Sequence, residues 1–236
     1  ASPGSSILST VTPETGTYLP LATPDSNIVF EDFEDDEPVL AIQQIDKDGN
    51  LVGSPAARAT SSHLSGSYGV SVPIDQSYNT TEGEGILERP AKTIRIDVDL
   101  DAVRGRTRVD VAQSLAAAET LYLVLGVAVP SAAANVSIIN VQTNATGDAK
   151  LVPDDREGYV IGLQSSLCVS LTGSGVTVDS SHLEGHLVID IKLAVKDTLD
   201  SLSIDTVGIG TQRVPYAYMQ GTSMALPSIT GATAVL

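Results

Sequence analysis

Ile94-Arg95-Ile96-Asp97-Val98-Asp99-Leu100 is the stretch that decides the fold class. Apolar and polar residues alternate strictly. That puts Ile94, Ile96, Val98 and Leu100 on one face of an extended chain and Arg95, Asp97 and Asp99 on the other, the pattern of a half-buried strand. Leu187, Ile189, Ile191 and Leu193 alternate in the same way with Val188, Asp190 and Lys192. Residues 121–129 are nearly all apolar and stop at Pro130, which suits a central strand buried on both faces. Further strands are expected at 28–33, 39–45, 68–72, 136–141, 159–163 and 202–209. Residues 111–119 alone suit a helix, or else lead into the next strand. Many short strands divided by turn signals indicate an all-β chain built as a β-sandwich.

Composition agrees. The chain is rich in Val, Ile, Leu, Ser, Thr, Gly and Ala and has no Trp, which fits an aliphatic β core. Acidic residues outnumber basic ones by 29 to 13, a formal charge of −16. Such a charge repels nucleic acid and anionic membranes and suits an extracellular protein or one that captures cations. No apolar run reaches the ~20 residues that cross a bilayer. Cys168 is the single cysteine, so no intrachain disulfide forms. Leu167, Val169 and Leu171 share one face of an apparent strand, leaving Cys168 on the other as a small packing residue rather than a reactive thiol.

Three segments resemble strands of the galactose-binding-like and carbohydrate-binding jelly rolls. Ile28-Val29-Phe30-Glu31-Asp32-Phe33-Glu34-Asp35 resembles their opening strand. Leu202-Ser203-Ile204-Asp205-Thr206-Val207-Gly208-Ile209 resembles the closing one, and Ser62-His63-Leu64-Ser65-Gly66-Ser67-Tyr68-Gly69-Val70 a strand between them. The resemblance implies a jelly-roll-like sandwich whose first and last strands are neighbours. It also implies a structural calcium ion (Ca2+) held by Glu34 and Asp205, with backbone carbonyls of the 62–67 segment completing an all-oxygen shell.

The two ends carry a different resemblance. Gly221-Thr222-Ser223-Met224-Ala225-Leu226-Pro227-Ser228-Ile229-Thr230-Gly231 resembles the nucleophile motif of subtilisin-like serine proteases, G-T-S-M-A-x-P-x-x-x-G, with Ser228 where that family often has histidine. Ala1-Ser2-Pro3-Gly4-Ser5-Ser6-Ile7-Leu8-Ser9-Thr10 resembles a segment lying shortly before that motif, and Tyr216-Ala217-Tyr218-Met219-Gln220 the approach to the serine. The resemblance implies that residues 1–12 and 213–236 are pieces of an α/β subtilisin-like catalytic domain, interrupted by a sandwich insert at 13–212. It implies further that Ser223 is the nucleophile of a secreted or cell-surface endopeptidase acting on protein or peptide substrates. A Ser-His-Asp enzyme also needs a base and a carboxylate to orient it. The family's D-S/T-G and H-G-T-x-x-A-G motifs are absent, so the chain alone is expected to be inactive. The alternative function is a non-catalytic module that binds carbohydrate or protein; a third is an insert that restricts access to the cleft. The lack of Trp weakens a sugar-stacking site.

Other candidate sites read as structural. Asp46-Lys47-Asp48-Gly49-Asn50 begins like an EF-hand loop, but the place of its bidentate glutamate is Ala57, so a hairpin turn is expected. His182-Leu183-Glu184-Gly185-His186 lacks a third ligand and reads as a polar loop entering a strand. Glu31, Asp32, Glu34, Asp35, Asp36 and Glu37 form a dense acidic run that reads as a solvated turn, or else, since carboxylates crowded this closely repel each other, as one with a cation or lysines between them. Asn79, Asn135 and Asn144 lie in N-x-S/T sequons, which matter only in a eukaryotic secretory host.

Overall fold

The computed structural model describes residues 7–10, 27–62, 66–78, 80–82, 89–118, 121–128, 136–146, 150–151, 159–161, 164–171, 178–195, 199–210 and 216–219. In chain order the strands are β1 (Ile7–Thr10), β2 (Asn27–Glu31), β3 (Leu40–Ile45), β4 (Leu51–Val52), β5 (Ala57–Ala59), β6 (Gly69–Pro73), β7 (Thr80–Glu82) and β8 (Arg89–Asp99). They continue as β9 (Tyr122–Ala128), β10 (Val136–Thr143), β11 (Lys150–Leu151), β12 (Tyr159–Ile161), β13 (Gln164–Ser170), β14 (His186–Val195), β15 (Ser201–Gly210) and β16 (Tyr216–Met219).

Two antiparallel sheets pack face to face. The first runs β11-β10-β14-β8-β3-β4, with β12 also on β10 and β7 also on β8; the second runs β13-β9-β15-β6-β5, with β2 also on β15. Consecutive long strands change sheet: β2 lies in the second, β3 in the first, β6 in the second, β8 in the first, and so on to β14 in the first and β15 in the second. That crossing back and forth makes the chain a jelly-roll-like β-sandwich, as the sequence implied. The first and last sandwich strands are partners, with Asn27 opposite Gly210 and Glu31 opposite Val207. Beyond them β1 pairs with β16, Ile7 opposite Met219, in a separate two-stranded ladder. The expected domain boundaries at 12/13 and 212/213 lie outside the described residues; of the pieces expected at 1–12 and 213–236, the structure describes this ladder alone.

The core follows from the alternation. Ile96, Val98 and Leu100 of the first sheet are fully buried, as are Leu187 and Ile189 of the neighbouring strand. Register sets Ile96 against Ile189 and Ile94 against Ile191, so one aliphatic layer forms across β8 and β14. Leu123, Val127, Ile204, Val207 and Ile209 answer from the second sheet. Bulges interrupt the phase of two strands, between Ile138 and Asn140 and between Ile204 and Thr206. The second bulge leaves Asp205 only 4 % exposed.

One helix, α1 (Arg108–Ala116), packs Val111 and Leu115 inward. It begins earlier than expected because Thr107 caps it: Thr107 Oγ1 accepts from Asp110 N at 3.2 Å and donates to Asp110 Oδ2 at 2.6 Å. The hairpin at 46–50 forms as read. Asp46 N donates to Asn50 O at 2.9 Å, and Gly49 takes φ 84, which glycine adopts without strain. Near β7 two buried polar side chains clamp a loop. Lys92 Nζ donates to Asp75 O at 2.9 Å and Gln44 Nε2 donates to the same oxygen at 3.1 Å. Burial pushes the Lys92 ammonium below the usual lysine range, against the pull of the Asp75 charge.

Candidate functional site

The outer face of the first sheet carries a polar row at right angles to its strands. Register places Gln43 of β3, Arg95 of β8, Asp190 of β14 and Gln142 of β10 side by side. Their sequence neighbours Ile42, Ile94, Ile96, Ile189, Ile191 and Val141 point into the core, so these four point out. At the centre is a bidentate ion pair. Arg95 Nε donates to Asp190 Oδ1 and Arg95 Nη2 to Asp190 Oδ2, both at 2.8 Å. The two side chains retain 26 % and 19 % exposure, so the pair is reachable from solvent yet shielded enough to hold its geometry. Donating to Asp190 raises the Arg95 guanidinium above its ordinary range. Arg95 Nη1 donates to Gly49 O at 3.2 Å, and Gln43 Nε2 to Gly53 O at 3.1 Å, bracing the row against β4 and its hairpin. A second row, Thr93, Lys192 and Asn140, runs beside the first; Ala41, Asp97 and Val188 flank it on the other side.

A second locus surrounds the acidic run. Glu31, 4 % exposed, accepts Phe33 N on Oε1 at 2.8 Å and Val39 N on Oε2 at 2.7 Å. Arg58 donates to Phe33 O at 2.8 Å, pairs with Asp36, donates to Glu34 O and lies 3.6 Å over the Tyr68 ring. Arg104 pairs with Asp35, which raises that guanidinium. Arginines, rather than the lysines or cation expected, therefore answer the crowded carboxylates.

Of the two residues expected to hold calcium, Glu34 touches the Gly66–Gly69 segment, whereas Asp205 is linked to it through Ile204 and has its own Cβ beside Gly126 of β9. Glu34 Oε1 accepts from Ser67 N at 2.7 Å and Tyr68 N at 2.9 Å. Asp205 follows Ile204, whose carbonyl sits against Gly69, and its Oδ2 accepts from Thr206 Oγ1 at 2.9 Å. Among the described residues no three His, Cys, Asp or Glu side chains gather as a metal cluster. The carboxylates and carbonyls at this edge are hard oxygen donors of the kind calcium takes, but backbone oxygens must supply most of the shell.

Neither described histidine, His182 or His186, forms a metal pair or a catalytic base. His186 Nδ1 lies 2.8 Å from Asp97 Oδ1, and His182 Nδ1 lies 3.2 Å from Asp179 Oδ2. Ser181 Oγ donates to Asp179, not to a ring nitrogen. Asn144 is used structurally: Nδ2 donates to His186 O at 2.9 Å and Oδ1 accepts from Val188 N at 2.8 Å. Cys168 sits opposite Val124 in β13. His63, Asn79, Asn135 and Ser223 lie outside the described residues.

No family model matches the chain, and no curated protein matches it. Two solved structures are similar. One is the C-terminal family 22 carbohydrate-binding module of Clostridium thermocellum Xyn10B, at 8 % identity and TM-score 0.44, covering 80 % of this chain and 96 % of that one. The other is a xylan-binding domain of family 22, formerly x6b, at 9 % identity and TM-score 0.41, covering 80 % and 97 %. Neither is a protease. The reading as a subtilisin-like serine endopeptidase, a hydrolase, is corrected on these findings; Ser223, the residue assigned as its nucleophile, lies outside the described residues. The physical reason is local. A short match around a serine identifies an enzyme only when a base and its orienting carboxylate are assembled beside it. Among the described residues no serine hydroxyl meets either histidine.

Proposed function

We propose that this chain is a non-catalytic binding module whose ligand is a carbohydrate, taken on the outer face of the first sheet. The reading rests on the row Gln43–Arg95–Asp190–Gln142. Gln43 and Gln142 both donate and accept, Arg95 donates and Asp190 accepts, and together such planar groups suit a ring of hydroxyls, which also do both. Strands lie about 4.7–4.9 Å apart. The row thus offers one hydrogen-bonding group at close to the spacing of successive sugars in an extended chain. Without Trp, binding depends on hydrogen bonds rather than on stacking. Each contributes about 0.5–1.5 kcal/mol net, so affinity builds by summation along the row.

The experiment is a titration of the full chain with xylo-oligosaccharides and β-glucan oligosaccharides of increasing length. Affinity is expected to rise with length through about four sugars and then level off. Gln142→Ala is expected to weaken binding roughly 2- to 10-fold. If no polysaccharide binds, or if Gln43→Ala and Gln142→Ala leave affinity unchanged, the reading is wrong.

We also propose that Glu34 and Asp205 hold a structural calcium ion at the edge where β2, β6 and β15 meet. The support is the all-oxygen chemistry around Gly66–Gly69 and a buried carboxylate at a bulge. A ligand that binds only the folded state raises stability with its concentration. Tm is therefore expected to climb with calcium and fall with chelator. Glu34→Gln keeps an oxygen for Ser67 N and Tyr68 N but removes the charge. It should abolish the calcium response while leaving the calcium-free Tm nearly unchanged. A wild-type Tm indifferent to both calcium and chelator would remove the proposal.

A further inference from the structure

Building on the carbohydrate reading, we infer that Asp190 sets the charge class of the ligand: by occupying the Arg95 fork it closes this face to anionic glycans. A guanidinium beside an open surface is the natural receptor for a uronate carboxylate or a sulfate, because its paired N–H groups match two oxygens. Here that edge is filled from within. Nε and Nη2 both go to Asp190, and Nη1 goes to Gly49 O.

The surroundings reinforce the exclusion. Asp97 and Asp99 share the outer face of β8, and His186 Nδ1 is turned to Asp97. Among the described side chains on the outer face of β8 and β14, the carboxylates Asp97, Asp99 and Asp190 stand around the cations Arg95 and Lys192; register adds Lys150 of β11 at the far end of the row, beside Gln142. The whole chain carries −16. An anionic chain would meet repulsion with no open fork in return, whereas a neutral one meets hydroxyl-compatible donors and acceptors. Asp190 is thus a specificity-determining residue, acting through Arg95 as well as directly.

The test compares a neutral xylan with polygalacturonate of similar length, on the full wild-type chain and on Asp190→Asn, at low and high salt. Wild type is expected to bind the neutral chain at least about tenfold more tightly than the polyuronate, with little salt dependence. Asp190→Asn opens the fork and removes one negative charge. It should raise polyuronate affinity at least about fivefold, and salt should screen that gain. Asp97→Asn is the second variant. It lowers the negative charge of the face without touching the fork, and is expected to give a smaller gain. Thermal melts check that each variant is folded. If wild type binds polyuronate as well as xylan, or if Asp190→Asn folds and gains nothing, the inference fails while the carbohydrate reading stands. If neither polymer binds any variant, the carbohydrate reading itself falls.

Discussion

Gly69→Ala is expected to destabilise the sandwich by about 3 kcal/mol, near the upper end of overpacking costs, and to lower Tm by roughly 6–12 °C. A Cβ at residue 69 would stand 2.2 Å from Ser62 O and 2.9 Å from Ile204 O. Both obstacles are backbone, so no rotamer change relieves them. The chain leaves β5 at Ala59, turns and returns across β6, with Ser62 N donating to Ala59 O at 3.5 Å. Register places Ala59 opposite Gly69, and a hydroxyl pair, Ser203 Oγ to Ser62 Oγ at 2.9 Å, is buried beneath the crossing. The glycine is needed there for close approach rather than for a special dihedral. Gly105 is the control. It has φ +66 and nothing within 4 Å of a Cβ, so Gly105→Ala meets only left-handed strain of about 1 kcal/mol. Equal Tm losses for the two variants would show that the Ser62 segment yields freely. Because Ile204 precedes Asp205, Gly69→Ala should also weaken any calcium response.

Much of the fold was legible because its signal is periodic and local. Ile94, Ile96 and Val98 needed only their own alternation to be placed inside, and Leu187, Ile189 and Ile191 likewise. Expected strands at 39–45 and 202–209 appear as Leu40–Ile45 and Ser201–Gly210. The short edge strands Ala57–Ala59 and Lys150–Leu151 were missed. Too few residues alternate there for a period to show, and tertiary pairing decides them.

The polar row was not legible at all. Arg95 and Asp190 were each assigned correctly to the outer faces of their strands. That they are cross-strand partners depends on register across 95 positions of sequence. Register is set by the whole hydrophobic pattern together with bulges that no single strand announces. The subtilisin resemblance shows the opposite error. Motifs at the two ends were specific as strings, but they lacked the second and third groups that give such a serine its chemistry.

Glu31→Ala is expected to cost about 2–6 kcal/mol, the larger effect of the two. Its carboxylate spans the mouth of the acidic loop, accepting Phe33 N and Val39 N at 2.8 and 2.7 Å from a nearly enclosed position. Truncation leaves two buried N–H groups without acceptors, and each such loss costs about 1–3 kcal/mol. Phe33 adds to this. It is 2 % exposed and sits at φ 58, a left-handed conformation that a large side chain adopts only when its surroundings impose it. The bond from its N–H to Glu31 is one of those constraints, and the Arg58 bond to its carbonyl is the other. Glu31→Gln separates hydrogen bonding from bulk. Its single carbonyl oxygen can serve one N–H, while its NH₂ group must face the other, so Gln should recover at most about half of the loss. Removing the clamp also frees the 32–38 loop from the end of β2, so Glu34 should lose its hold on Ser67 N and Tyr68 N. Chemical denaturation of the three proteins measures the costs. A loss below about 1 kcal/mol for Glu31→Ala would mean that water satisfies both N–H groups, and the carboxylate would then be a bystander to the loop rather than its clamp.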